Sequence, residues 1–139
     1  MEISDVRKRV LQTIEHAKQQ VAARRTRNDE AAHAFGPFLD TIAVPLVRQI
    51  AQVLRAQGQL FTVFTPSGSV RLMSDRGAED FIELFLDTTG DVPAVVGRTS
   101  RSRGQRVLES EEALGGPAEL SEEDVLRFLL KALEPFVER

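Results

Sequence analysis

The sequence predicts an α+β fold: two N-terminal helices (a helical hairpin or coiled coil), a four- to five-stranded antiparallel meander, and a C-terminal helix packed on the sheet. Three observations carry that expectation. Apolar residues recur at spacings of three and four over 3–21 and again over 38–57. Short β-branched and aromatic runs separated by Pro/Gly turns then replace that periodicity. Helical spacing returns after Ser121, and strands bracketed by helices suit a sheet with one covered face.

The first helix is expected over about 3–35. Ile3, Val6, Val10, Ile14, Ala17 and Val21 fall in one narrow stripe, with Arg7, Lys8, Gln12, Glu15 and the Lys18 to Gln20 run on its flanks. A narrow seam with long polar flanks suits a coiled coil or helical hairpin better than the wall of a deep core. The seam lapses over "RRTRNDE", resumes weakly in "AAHAF", and is expected to end at Gly36-Pro37. The second helix, about 38–57, carries Leu39, Ile42, Leu46, Ile50 and Val53, widened by Val47 and Leu54. Pro45 requires either a kink or a helix that begins near it, and Gly58 is a stop. A tight turn at Gly36-Pro37 would fold the two helices into an antiparallel hairpin.

"LFTVFT" and "SVRLMS" flank Pro66-Ser67-Gly68 and read as a β-hairpin. "FIELFLDT" fits a strand or a helix; the turn signals on both sides favour a strand. "AVVGRTS" follows as another strand, and "RSRG" turns into "QRVLES", a fifth. Ser121 and Asp124 give a capping-box start to the last helix, whose apolar face is Val125, Leu126, Leu129, Leu130 and Leu133; Pro135 should end or bend it. The expected organisation is a helical segment, 1–57, and a sheet with its helix, 58–139, forming one cooperative unit with the second helix.

A chain of 139 residues with 42% hydrophobic and 28% charged residues has room for one core and is neither disordered nor fibrous in composition. No apolar run approaches membrane-spanning length, and the start "MEISDVRKRV" lacks the apolar centre of a secretory signal, so a cytoplasmic location is expected. Cysteine is absent, which excludes disulfides, thiolate nucleophiles and Cys-based zinc sites. The net charge of −3 hides blocks: +4 over 1–27, −5 over 28–97, +4 over 98–108 and −6 over 109–139. Such alternation argues against a uniformly basic surface and suits contact between unlike segments of neighbouring subunits.

Two groups of bases are candidate contacts for phosphate or nucleic acid. One is Arg7, Lys8, Arg9, Arg24, Arg25 and Arg27 on the first helix; the other is Arg98, Arg101, Arg103 and Arg106 around the last hairpin. Strand alternation puts Arg101 and Arg103 on one side and Arg98 on the other, so they converge only if the turn gathers them. The competing expectation is an exposed hairpin whose arginines pair with Glu109, Glu111 and Glu112. His16 and His33 match no local metal spacing, Ser67 and Ser69 lack a nucleophile elbow, and the glycines form no phosphate loop. No metal, cofactor or catalytic residue is expected. The order of elements resembles small dimeric nucleoid-associated proteins in layout alone; layout does not determine function, and no residue is carried over.

The resulting expectation is a non-catalytic, cytoplasmic protein that self-associates, as a homodimer or with a partner helix, through Ile3, Val6, Val10, Ile14, Ala17 and Val21. The alternative is a small dimeric protein binding nucleic acid or phosphate through its basic blocks. No contact with a membrane is expected.

Overall fold

Helix α1 runs from Ile3 to Phe38 in the computed structural model, which describes residues 1–138, so Gly36-Pro37 does not end it. A π-helical turn, Leu39–Ala43, joins it to α2, Val44–Ala56, and the backbone stays right-handed helical through Phe38, Leu39, Ala43 and Val44. No fold-back occurs. An interior proline costs about 3 kcal/mol, but Phe35 and Phe38 on either side of Gly36-Pro37 are 6% and 3% exposed, their rings stacked 5.9 Å apart. Burying each is worth roughly 2–3 kcal/mol, enough to hold the helix through the proline. The Thr41 hydroxyl donates to the Pro37 carbonyl at 2.7 Å. Pro45 lies in the first turn of α2, directly after the wider π turn, which ends with Val44 N–H donating to Leu39 O.

Five strands follow: β1 Phe61–Phe64, β2 Ser69–Ser74, β3 Phe81–Asp87, β4 Ala94–Arg103 and β5 Arg106–Gly115. They form one antiparallel sheet in sequence order. The ambiguous run at 81–88 is therefore a strand, paired on both sides. The last hairpin turns in two residues, Gly104-Gln105, and only Gly104 has positive φ (64°), the pattern of a type II′ turn. Helix α3, Glu122–Val137, packs against β3, β4 and β5. Pro135 sits in its last turn, and the helix ends two residues later.

One face of the sheet carries Val70, Leu72, Ile82, Leu84 and Val95, which join Phe35, Phe38, Ala43, Val47 and Leu54 from the N-terminal helix and Val125, Phe128, Leu129, Leu133 and Phe136 from α3. Gly97 lies among them because nothing larger fits: a Cβ there would stand 2.1 Å from the Phe128 ring. The fold is thus a two-layer α+β arrangement with one helix-covered face.

Helix α3 begins on the capping box expected from sequence. Ser121 Oγ accepts from Asp124 N at 3.2 Å, and the Asp124 carboxylate accepts from Ser121 N at 3.0 Å. Ser121→Ala should cost about 1 kcal/mol, measured by urea unfolding followed by circular dichroism. The hydrogen bonds from the Ser121 backbone and hydroxyl hold the Asp124 pKa below the ordinary carboxylate range. A folded-state pKa below the unfolded one means that this stabilisation is present above the unfolded pKa, about 4, and is lost as pH falls through the folded value. Asp124→Asn should accordingly flatten the acid limb of the stability profile; an unchanged acid limb would show that the cap carboxylate contributes nothing to it.

Candidate functional site

The strand register fixes where the N-terminal arm points. The 65–68 turn, the 88–93 loop and the end of β5 lie at one end of the sheet; the start of β1, the 75–80 loop and the Gly104-Gln105 turn lie at the other. Arg27 Nη2 donates to the Asp91 carbonyl in the 88–93 loop at 3.3 Å. N-terminal to that contact, residues 1–27 are exposed without exception, and the helix projects roughly 36 Å beyond Arg27 at 1.5 Å per residue.

On this arm the apolar seam has no cover from its own chain. Ile3 is 85% exposed, Val6 44%, Val10 51%, Ile14 46% and Val21 51%; Ala17 is exposed too, and Leu11 at 53% widens the stripe. Ile14, Ala17, Lys18, Val21, Ala22 and Arg25 line a shallow, mainly apolar depression along the helix. Residues at i, i+3, i+4 and i+7 form such hollows, which receive the knobs of a facing helix. Continued inward, the stripe passes Asn28 and Ala31 to Phe35 and Phe38, so the face that lies bare on the arm becomes core wall inside the body. The Oδ1 of Asn28, at this junction, is buried without a hydrogen-bond partner among the described residues.

The basic residues of the arm do not share a face. Arg7, Lys8 and Arg9 are consecutive and fan over about 200° of the helix, and Arg25 stands about 160° around it from Arg27. All are exposed. The hairpin arginines also diverge. Arg98 lies mid-sheet, where its Nε and Nη2 both donate to Glu111 Oε1 at 2.9 and 2.8 Å. That bond, ahead of the opposing effect of burial, raises the Arg98 pKa further above its ordinary value. Arg101 and Arg103 flank a shallow hollow with Ser102, Pro135 and Glu138, and Arg103 pairs across the strands with Arg106. Of the expected acid partners, Glu111 takes Arg98, while Glu112 bonds Lys131 of α3 at 2.8 Å. The tip lies at the end of the sheet opposite the arm, so the two basic blocks are not brought together.

Sequence reasoning missed a charge ladder across the face that carries no helix. Arg71, Glu83, Arg98 and Glu111 are direct cross-strand neighbours on β2, β3, β4 and β5. Glu83, 7% exposed, bonds Arg71 at 2.9 Å and Arg98 at 3.8 Å. The guanidinium of Arg71 stacks over Phe81 at 3.9 Å and that of Arg98 over Phe85 at 4.7 Å. The ladder makes a polar surface out of a face that would otherwise expose phenylalanine. Glu83→Ala leaves two half-buried arginines facing each other; because both retain contact with water, the expected loss is about 2 kcal/mol rather than the 3–5 of a fully buried pair, read from chemical denaturation.

His16 and His33 are both exposed on α1 and make no hydrogen bond among the described residues. No group of three or more potential metal ligands occurs among those residues, and no helix is long and apolar enough to cross a membrane. Comparison with known proteins finds no matching family model, no matching curated protein and no matching solved structure.

Proposed function

We propose that this is a non-catalytic, cytoplasmic interaction protein that associates through the seam of α1, its globular body serving as the anchor and spacer of that helix. The observation that carries the reading is the bare stripe itself. Ile3, Val6, Val10, Ile14 and Val21 are each more than two-fifths exposed on a helical arm whose residues are all exposed as far as Arg27. Helices of soluble proteins bury such a face, and a contiguous exposed stripe marks a contact surface. An isolated helix is also marginal in water, which favours an arm that is covered when the protein functions. Light scattering at tens of micromolar tests the reading: a species heavier than the 15.4 kDa chain is expected, and a strict monomer unchanged by Val10→Glu would reject it.

The second reading, binding of nucleic acid or phosphate, draws on Arg101, Arg103 and Arg106, for which no ion pair exists among the described residues. It loses ground because Arg98 is occupied within the sheet and because the arm leaves the opposite end of the body. Retention on immobilised DNA or RNA that falls with salt and disappears in the double variant Arg101→Glu, Arg103→Glu would favour it. The proposed function predicts no difference between that variant and the parent protein.

A further inference from the structure

Resting on the proposal that the α1 seam associates, we infer that its occupant is the same seam of a second copy, running antiparallel and centred on Gln12. The seam positions of the arm, taken in strict alternation of three and four, are Ile3, Arg7, Val10, Ile14, Ala17, Val21 and Arg24, with Val6 and Leu11 on the rim. This is a heptad pattern with two arginines inside it. A parallel, in-register pair would set Arg7 against Arg7 and Arg24 against Arg24 within the seam, like charges at close range in a partly dehydrated contact.

Antiparallel pairing about Gln12 removes both clashes. Val10 meets Ile14 of the second copy, Ile3 meets Val21, and Arg7 lies over the small Ala17, where its aliphatic stem crosses the hollow bounded by Ile14, Lys18 and Val21 while its guanidinium reaches water. On the rims Leu11 faces Leu11 and Thr13 faces Thr13 across the two-fold axis, while Val6 faces Gln20 and Ser4 faces Lys18; none of these pairs joins like charges. Arg24 no longer faces Arg24, and Glu2 and Asp5 of each copy come level with the stretch of the other that carries Lys18 and Arg25.

The placement of the two seam arginines selects this register. A register one heptad deeper would set Arg7 against Arg24 within the seam, and one heptad shallower would set Arg7 against Val10 instead of the small Ala17. The pairing places the two bodies at opposite ends of a two-helix rod, with the two Arg27 positions about 45 Å apart.

Because the chain has no cysteine, single introduced thiols report the pairing cleanly. Ile3→Cys and Val21→Cys proteins are mixed, equilibrated in a glutathione redox buffer and resolved on a non-reducing gel. The inference predicts the heterotypic product as the dominant cross-link, since these positions face each other only in the antiparallel register and a disulfide needs Cα atoms within about 7 Å. Homotypic products alone, from a protein that light scattering shows to be dimeric, would overturn the orientation and leave the proposed function standing. Absence of cross-links in a protein that stays monomeric would overturn both. Spin labels on Val92→Cys, a 72% exposed site outside the arm, give an independent reading: separations beyond about 40 Å are expected, and a separation near half that value would contradict the antiparallel rod.

Discussion

Gly97→Ala is expected to destabilise the protein by about 3 kcal/mol, lowering the melting temperature by roughly 10 °C. Three ring atoms of Phe128 lie 2.1, 2.4 and 2.6 Å from where the new methyl would stand. Those are the far atoms of a side chain, and on a surface the ring would swing away. Phe128, however, is 6% exposed and sits in the core formed by the sheet, α2 and α3. Close-packed interiors give way by shifting helices or forcing side chains off their rotamers, which is the source of the cost. Pairing the substitution with Phe128→Leu should recover part of the loss, so that the double variant melts above the value expected from adding the two single effects. A Gly97→Ala protein that melts with the parent would mean that α3 is not held as tightly on β4 as the structure shows. With no Trp or Tyr in the chain, the melt is followed by circular dichroism rather than intrinsic fluorescence.

Val10→Glu has the other large expected effect, on association rather than on folding. Val10 is 51% exposed on an arm whose residues are all exposed, so the isolated subunit should retain its body stability. In a two-fold pair the substitution occurs twice, each time setting a carboxylate against an apolar layer. At about 2 kcal/mol for each unpaired polar insertion, the dimer loses some 4 kcal/mol, and the dissociation constant rises about a thousandfold. Sedimentation velocity across a concentration series reads this directly. A variant that dimerises as well as its parent would move the contact elsewhere on the molecule.

The difference between what could be read in the sequence and what could not follows the range of the interactions involved. The hairpins, the capping box at Ser121 and the amphipathic faces are set by neighbours a few residues apart, so spacing and turn residues sufficed for the α+β architecture. Gly36-Pro37 misled because the local rule is outweighed by a distant one: Phe35 and Phe38 are buried in the core that residues of the sheet and α3 also form, which no window around the proline contains. The ladder of Arg71, Glu83, Arg98 and Glu111 was invisible for a related reason. Each residue is an ordinary polar position on its own strand, and only the register, set on the β4–β5 side by the two-residue Gly104-Gln105 turn, aligns them. The same register shows that Arg98 belongs to the sheet and not to the hairpin tip. The seam of α1 was legible because it is a periodicity; that it stands bare depends on where the helix goes after Phe38, which is a property of the packed body.

Amide hydrogen exchange along residues 3–21 tests most directly whether that stripe is covered by another helix in solution. An uncovered arm frays and exchanges quickly at every concentration, whereas a paired arm is protected in proportion to the population of the pair. The expected result is strong protection of Val6 through Val21 at tens of micromolar, lost on dilution and lost in Val10→Glu. Rapid exchange of those amides at high concentration, or protection indifferent to both dilution and the substitution, would contradict an arm that is covered by a second helix.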